Sequence, residues 1–347
     1  MLRYRRMTVC GERCWRAGSA IEARPLHMDD SIDTWAAKVV ARDRRAIARA
    51  ISAVETGEAR STELLKRLFA ASGKAEVIGI TGSPGVGKST LVEKLAGAYR
   101  DAEARVGIIA VDPTSPFSGG ALLGDRIRMQ SLSGDKDIYI RSMATRGQLG
   151  GLAPTTHDVV TVLDAAGCDV VLIETVGVGQ DEVEVARLAD ATALLLVPGM
   201  GDDVQTFKAG VMEIADLYVL NKADLPGADR LEQELSAMLS MASGRDGWRA
   251  PIVKAIATTG SGIAEVKQAL QQFRRYQEQS EGKEKRRRRY WRSRLLELLR
   301  RDLFERVVSE RLDDGSLELL IDDLLEHRAD PYSLVEGIVA ETLGTRG

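Results

Sequence analysis

Cysteine, histidine and aromatic residues are all scarce: the 347 residues hold three Cys, three His and only 5% aromatics. Three Cys cannot build a disulfide framework, which points to a reducing compartment. Cys168 adjoins an apolar run and reads as a buried thiol. Cys10 and Cys14 share Cys-x3-Cys spacing, but no second pair or His cluster completes the four ligands of a structural zinc site. His27, His157 and His327 form no metal-handling tract. No apolar run approaches the roughly 18 residues of a membrane helix, so a soluble chain without a membrane partner is expected. Neither sign of charge dominates, with 48 Lys plus Arg against 51 Asp plus Glu, and no global field points to nucleic acid. Internal repeats are also lacking.

The charge that is present is unevenly placed. Residues 1–28 carry six Arg and two acids, without a secretory-type apolar core. Transit peptides have that composition; a disordered tail, or a true start at Met28, gives it too and is the preferred reading. The expected compartment is the cytoplasm of a bacterium, or the mitochondrial matrix if the segment is a transit peptide. The run "KEKRRRR" (283–289) reads as a solvated helix face, given the balanced total charge.

The apolar pattern changes period along the chain. Residues 29–75 are helical, with Trp35, Val39, Ile47 and Ile51 at helical intervals. From 76 to 275, short β-rich apolar runs alternate with helical stretches: "EVIGITG", "VGIIAVD", "DVVLIET", "ATALLLVPG", "DLYVLNKAD" and "PIVKAIAT". Continuous apolar strands separated by helices predict a doubly wound, mostly parallel α/β sheet covered on both faces. Its ligands should gather at the carboxyl ends of the strands. Residues 276–347 turn helical again, and Leu295, Leu299, Phe304 and Val308 make an apolar stripe that needs a partner, as a dimerisation arm or a helical cap.

Three motifs on this frame carry chemistry. "GITGSPGVGKST" supplies Gly82-x4-Gly87-Lys88-Ser89 after a strand and before a helix. The residues Gly82, Ser83, Pro84, Gly85, Val86, Gly87, Lys88, Ser89 and Thr90 form a phosphate-binding loop. Its backbone N–H groups and helix N-terminus face phosphate, Lys88 reaches the terminal phosphates, and the Ser89 hydroxyl serves Mg²⁺. "VLNKAD" places Asn221, Lys222 and Asp224 after a later strand. A buried Asp224 carboxylate can accept two hydrogen bonds from guanine N1–H and N2, an edge adenine lacks, so GTP and GDP are the expected nucleotides. One strand later, "AIATTG" can offer the Ala257 N–H to guanine O6, with Thr258 beside it. The third motif is "IETVGVGQDE", in which Glu174 occupies the metal-facing end of its strand, where Asp is usual, and Val178 stands where small GTPases carry a water-orienting Gln. Asp112, before the Pro- and Gly-rich "PTSPFSGG", and Asp125 are further acids on the phosphate side; the lesser alternative for Asp125 is a helix N-terminal or surface acid.

The ordered set "GSPGVGKST", "VDPTSPFSGGALLGDRIRM", "RSMATRGQLGG", "ETVGVGQDE", "PGMGDDVQTFKAG" and "NKAD" resembles the MeaB/ArgK family of methylmalonyl-CoA mutase-associated GTPases, which has a human relative in mitochondrial cobalamin metabolism. The resemblance runs from about Val39 to about Val339. It implies a homodimeric P-loop GTPase that associates with an adenosylcobalamin-dependent acyl-CoA mutase, gating cofactor loading and protecting or reactivating the enzyme. It implies Mg²⁺ ligands at Ser89, Asp112, Asp125 and Glu174, and an extra switch at "PGMGDDVQTFKAG" in which Lys208 transmits partner binding. That switch reads Met200-Gly201-Asp202-Asp203, where the family generally has a small residue and Gly-Asp-Glu. With Val178 unable to orient water, slow intrinsic hydrolysis is expected, Lys88, Asp112 and Glu174 serving catalysis and Gln180 or Lys208 completing the site on partner binding. Arg141 and Arg146 read as an arginine finger, a partner contact or, more commonly, members of structural ion pairs.

Other function classes fit less well. A nickel-insertion GTPase would show His-rich tracts or paired Cys and His. An ArgK-type kinase tied to amino-acid transport would need a base for a substrate hydroxyl, and no such motif is found. A purely structural nucleotide module would not need acids converging on the γ-phosphate side.

Overall fold

The computed structural model describes residues 31–112, 132, 134–144, 155–175, 181–199, 211–241, 247–312 and 314–342, with Asp112 described in its backbone alone. Asp125, Arg146, Val178, Gln180, the 200–203 stretch and Lys208 lie outside the described residues, as do Cys10, Cys14 and His27.

Three helices open the described chain: α1 (Ile32–Val40), α2 (Arg44–Thr56) and α3 (Ala59–Leu68). Their starts follow from side-chain caps. Ser31 Oγ accepts the Thr34 N–H at 3.2 Å and Asp43 Oδ1 accepts that of Ala46 at 2.7 Å. The Trp35 indole is buried and donates to the Ala46 carbonyl at 3.1 Å, joining α1 to α2.

Seven parallel strands follow: β1 (Glu76–Thr81), β2 (Val106–Asp112), β3 (Ile138–Ala144), β4 (Val170–Glu174), β5 (Ala191–Leu196), β6 (Leu217–Leu220) and β7 (Ile252–Lys254). Their spatial order is β3-β2-β4-β1-β5-β6-β7. The sequence reading missed β3. Its apolar residues are interrupted by Arg141 and Ser142, and it pairs with β2 alone, so one edge never needed the continuous apolar run of the central strands.

Between and after the strands come α4 (Lys88–Arg100), α5 (Thr155–Ala165), α6 (Asp181–Leu188), α7 (Val211–Ile214), α8 (Ala228–Met241) and α9 (Ile263–Gln279). The twofold alternation of strand side chains sorts them onto two faces. Ile78, Ile80, Ile108 and Leu172 pack with α4 and α9, whereas Val77, Ile109, Val171 and Ile173 pack with α5, α6 and the N-terminal helices. Gly79 lets α6 lie against β1, since a Cβ there would collide with Val185. Cys168 is buried as expected, and burial pushes its thiol up to about 12, which leaves it unreactive.

The chain ends in a helical arm, α10 (Gly282–Arg311), α11 (Asp314–Leu325) and α12 (Pro331–Thr342). The stripe expected on α10 is exposed: Leu295 and Phe304 are each 67% accessible, and Leu319 and Tyr332 of the later helices are bare as well. The basic run is only in part a solvated face. Arg286, Tyr290 and Arg294 recur every fourth residue and turn inward, with Arg286 bonded to Asp216 and Arg294 to Asp158. Spacing was the missed signal, because a charge run hides a helical period inside it. Among the described residues no helix is long and apolar enough to cross a membrane.

Candidate nucleotide-binding site

The carboxyl ends of the strands form one rim. In the register of the sheet, Ile80 of β1 and Ala110 of β2 lie level with Glu174 of β4. The loop after Thr81, the end of β4 and the loop after β6 are therefore brought together. Asp112, two residues beyond Ala110 and paired in register with Ala144, ends β2 on the same rim.

The loop from Gly82 to Gly87 turns the chain from β1 into α4. Gly87 caps the helix at φ 98°, and a Cβ there would strike Asn221 Nδ2, so the turn requires glycine. Pro84 and Gly85 are exposed, Ser83 and Val86 are buried, and Thr90 is half-buried within the first turn of α4. Lys88 is 6% accessible, and its ammonium donates to the carbonyls of Gly82 at 2.7 Å and Ser83 at 3.1 Å. The loop thus holds the cation that anionic phosphates would draw outward.

Ser89 Oγ donates to Glu174 Oε1 at 2.6 Å, joining the first turn of α4 to the end of β4. Glu174 is buried, at 4% accessibility. Two oxygen donors side by side at the phosphate end suit a hard cation such as Mg²⁺. The buried Thr175 hydroxyl donates to Thr81 Oγ1 at 3.2 Å, so β1 and β4 are tied once more just below the loop.

The base-side motif is tied to the phosphate loop. Asn221 is buried, its Nδ2 donating to the Val86 carbonyl at 2.8 Å and its Oδ1 accepting the Ala257 N–H at 3.0 Å. Lys222 takes the left-handed backbone at φ 55° and donates to the Gly85 carbonyl at 3.0 Å. Two observations bear on the expected base contacts. The Ala257 N–H, assigned above to guanine O6, is engaged by Asn221 and braces the loop. Asp224 is exposed rather than buried, so its discrimination between bases depends on a base covering it. Thr258 is exposed next to Ala257.

Arg141 stands apart from this rim. Its guanidinium is bidentate on Glu55 of α2, with Nε at 2.9 Å from Oε1 and Nη2 on Oε2, and burial lowers its pKa. The structural ion pair is therefore its role in this structure. Among the described residues no three His, Cys, Asp or Glu side chains gather as a metal cluster.

A glycine-rich loop between β1 and α4, a Lys within it, a Ser–Glu pair beside it and an Asn-Lys-x-Asp loop braced against it define a P-loop nucleoside triphosphatase of the GTPase type. Residues 47–312 match the family described as methylmalonyl Co-A mutase-associated GTPase MeaB, and the chain belongs to that family. It is 47% identical over 306 residues to a GTPase of Pyrococcus abyssi, covering 87% of this chain and 94% of that one. It is 38% identical over 253 residues to the mouse methylmalonic aciduria type A homolog, mitochondrial, covering 68% of this chain and 61% of the mouse protein. The crystal structure of an LAO/AO transport system kinase superposes with a TM-score of 0.67 at 24% identity, covering 90% of this chain and 98% of the other, and shares the fold.

Proposed function

We propose that this GTPase hydrolyses GTP slowly by itself and acts as a chaperone of an adenosylcobalamin-dependent acyl-CoA mutase, methylmalonyl-CoA mutase first among them, which speeds its turnover. The observation that carries the reading is the Ser89–Glu174 hydrogen bond of 2.6 Å at the mouth of a loop whose Lys88 is held ready by two carbonyls. The family's description and that of the mouse relative support the mutase as partner.

The loop N–H groups from Gly82 to Thr90 cradle the phosphates, and Lys88 leaves its two carbonyls to reach the terminal ones. Ser89, Asp112, Asp125 and Glu174 would hold Mg²⁺, which when bound neutralises charge on the phosphate oxygens. Asn221 and Lys222 hold the base loop against the phosphate loop, and Asp224 reads guanine. Val178 offers no amide to orient the attacking water, so Gln180 or Lys208 completes the site when the mutase binds. The exposed apolar faces of α10, α11 and α12 support a homodimer through the arm, with residues 29–75 a helical flank, 76–275 the GTPase unit and 276–347 the arm.

Steady-state GTP hydrolysis, measured alone and with a stoichiometric adenosylcobalamin-dependent acyl-CoA mutase, tests this reading. Slow basal turnover that rises at least about tenfold with the mutase is expected, within the about 10⁵-fold range known for activated GTPases. Fast turnover that ignores the mutase would sink the chaperone assignment.

A further inference from the structure

At the opposite end of the sheet, beside the amino ends of β1 and β5, lies a cavity of about 130 Å³. A single water occupies only about 10–15 Å³ on this measure, so there is room for a small organic molecule but not for a nucleotide. Four parts of the chain meet there: the 72–75 link ahead of β1, the helices α5 and α6, the end of α9, and the root of α10. Val160, Ala189, Phe273, Tyr290 and Trp291 give it an apolar wall.

Its charge is unbalanced. Lys74, Arg187, Arg274, Lys283, Arg286 and Arg287 line it, against the acids Glu76, Asp164 and Asp190. Each acid takes at least one bond within the fold, while the buried Oε1 of Glu76 is left without a hydrogen-bond partner. Glu76 Oε2 accepts from Arg274 at 3.2 Å, Asp190 Oδ2 from the Val77 N–H at 2.9 Å, and Asp164 from the N–H groups of Gly73, Lys74 and Ala75. Arg286 is bidentate on Asp216, at 3.0 and 2.9 Å. Lys283 makes a long ion pair with Glu278, at 3.6 Å. Lys74, Arg187 and Arg287 make no ion pair among the described residues. The Arg287 guanidinium also lies over Gly73, where a Cβ would sit in ordinary contact, 3.6 Å from Nη2.

Unpaired cations at the mouth of a partly enclosed, low-dielectric cavity focus their field inward. An apolar pocket with a few convergent polar groups, set where structural units join, is the common form of a small-ligand site. We propose that this cavity binds a small organic carboxylate. Its charged end meets Arg287, Arg187 and Lys283, and its short apolar body rests on Tyr290 and Trp291. The ligand would bridge the root of the arm to the floor of the sheet, at a place the nucleotide does not reach. This site is independent of the proposed function.

The test is calorimetric titration of the full chain, saturated with GDP and Mg²⁺ so that the phosphate loop is occupied. The probes are benzoate and inorganic phosphate. Benzoate should bind with a dissociation constant at or below about 1 mM, and phosphate, which lacks the apolar body, at least about tenfold more weakly. Arg287→Ala should weaken benzoate about tenfold, the usual scale of a charge-assisted bond, and Arg187→Ala should weaken it less. Arg292→Ala, on the same helix but off the cavity, should leave it unchanged. Both cavity substitutions remove exposed side chains, and thermal melts check that the variants fold. No benzoate binding at 10-fold the expected constant would overturn the proposal. So would binding that survives both cavity substitutions, or phosphate binding as tight as benzoate.

Discussion

At the carboxyl rim of the sheet, Lys88 bonds to two carbonyls, Asn221 to one carbonyl and one N–H, Lys222 to a carbonyl, and Ser89 to the Glu174 carboxylate. At the amino edge, the ties include ion pairs: Arg286 with the 3%-accessible Asp216, Arg294 with Asp158, Arg274 with Glu76. The two sets differ in what it takes to exchange them. A bond to a carbonyl contributes about 0.5–1.5 kcal/mol net from a neutral donor and about 1.5–3 from a charged one, and it can be traded for one to a phosphate. Breaking a buried ion pair from one side costs about 3–5 kcal/mol, because the remaining charge is stranded. The rim is thus arranged to be rearranged by a ligand, and the floor to hold α10 to the sheet whatever the rim does.

The largest test of that contrast is Asp216→Ala. It strands the Arg286 guanidinium and removes the acceptor for the Thr192 N–H, a bond of 3.0 Å. Urea unfolding should show a loss of about 3–5 kcal/mol. A loss below about 1 kcal/mol, the scale of an exposed pair, would mean that the floor is no more fixed than the rim.

Next in size is Lys88→Ala. Removing one preorganised charge from the phosphate site should lower kcat for GTP about 100- to 1000-fold. The same variant should cost less stability than Asp216→Ala, in which a largely buried guanidinium loses its carboxylate. Comparable losses in the two melts would erase the distinction between the edges.

The smallest effect is a pH dependence at the floor. Burial holds His157 down to about 3, and the positive Arg294 adds to the shift; its Nδ1 lies 3.2 Å from the Tyr290 hydroxyl. The folded pKa is below the ordinary 6.5, so the unfolded chain binds the extra proton. The contribution is complete above about pH 6.5 and is lost as pH falls from there toward 3. Between pH 7 and 4.5 the native protein should lose about 1–3 kcal/mol more stability than His157→Gln. Glu76 and Asp158, whose carboxyls burial raises, titrate in the opposite sense and are common to both proteins. Parallel pH profiles would place His157 in a wetter setting than the floor of this fold implies.

Much of the site was legible in the residues. Gly82, Gly87, Lys88 and Ser89 stand at fixed offsets because a phosphate loop leaves no freedom in spacing, and Glu174 closes an apolar run that could only be a strand. Other features were hidden by their form. β3 is an edge strand whose apolar run is broken by Arg141 and Ser142, and Arg286 is one of a run of similar cations, its depth set by a helical phase that the run masks. Asn221 was assigned to the nucleotide from its motif, yet its bonds go to Val86 and Ala257, because proximity across 135 residues is not written in local pattern.

The sequence by itself determined the parallel α/β architecture, the phosphate loop and the membership of a GTPase family, since strand period, glycine placement and motif order are local and follow from backbone geometry. Only the tertiary structure decided which charges are buried and paired. It took Arg141 to Glu55 and Arg286 to Asp216, left Asp224 in solvent, and gathered unpaired cations around a cavity at the floor. The reason is that a charge's partner and its desolvation are set by chain segments far apart in sequence, and they exist only once the layers have packed.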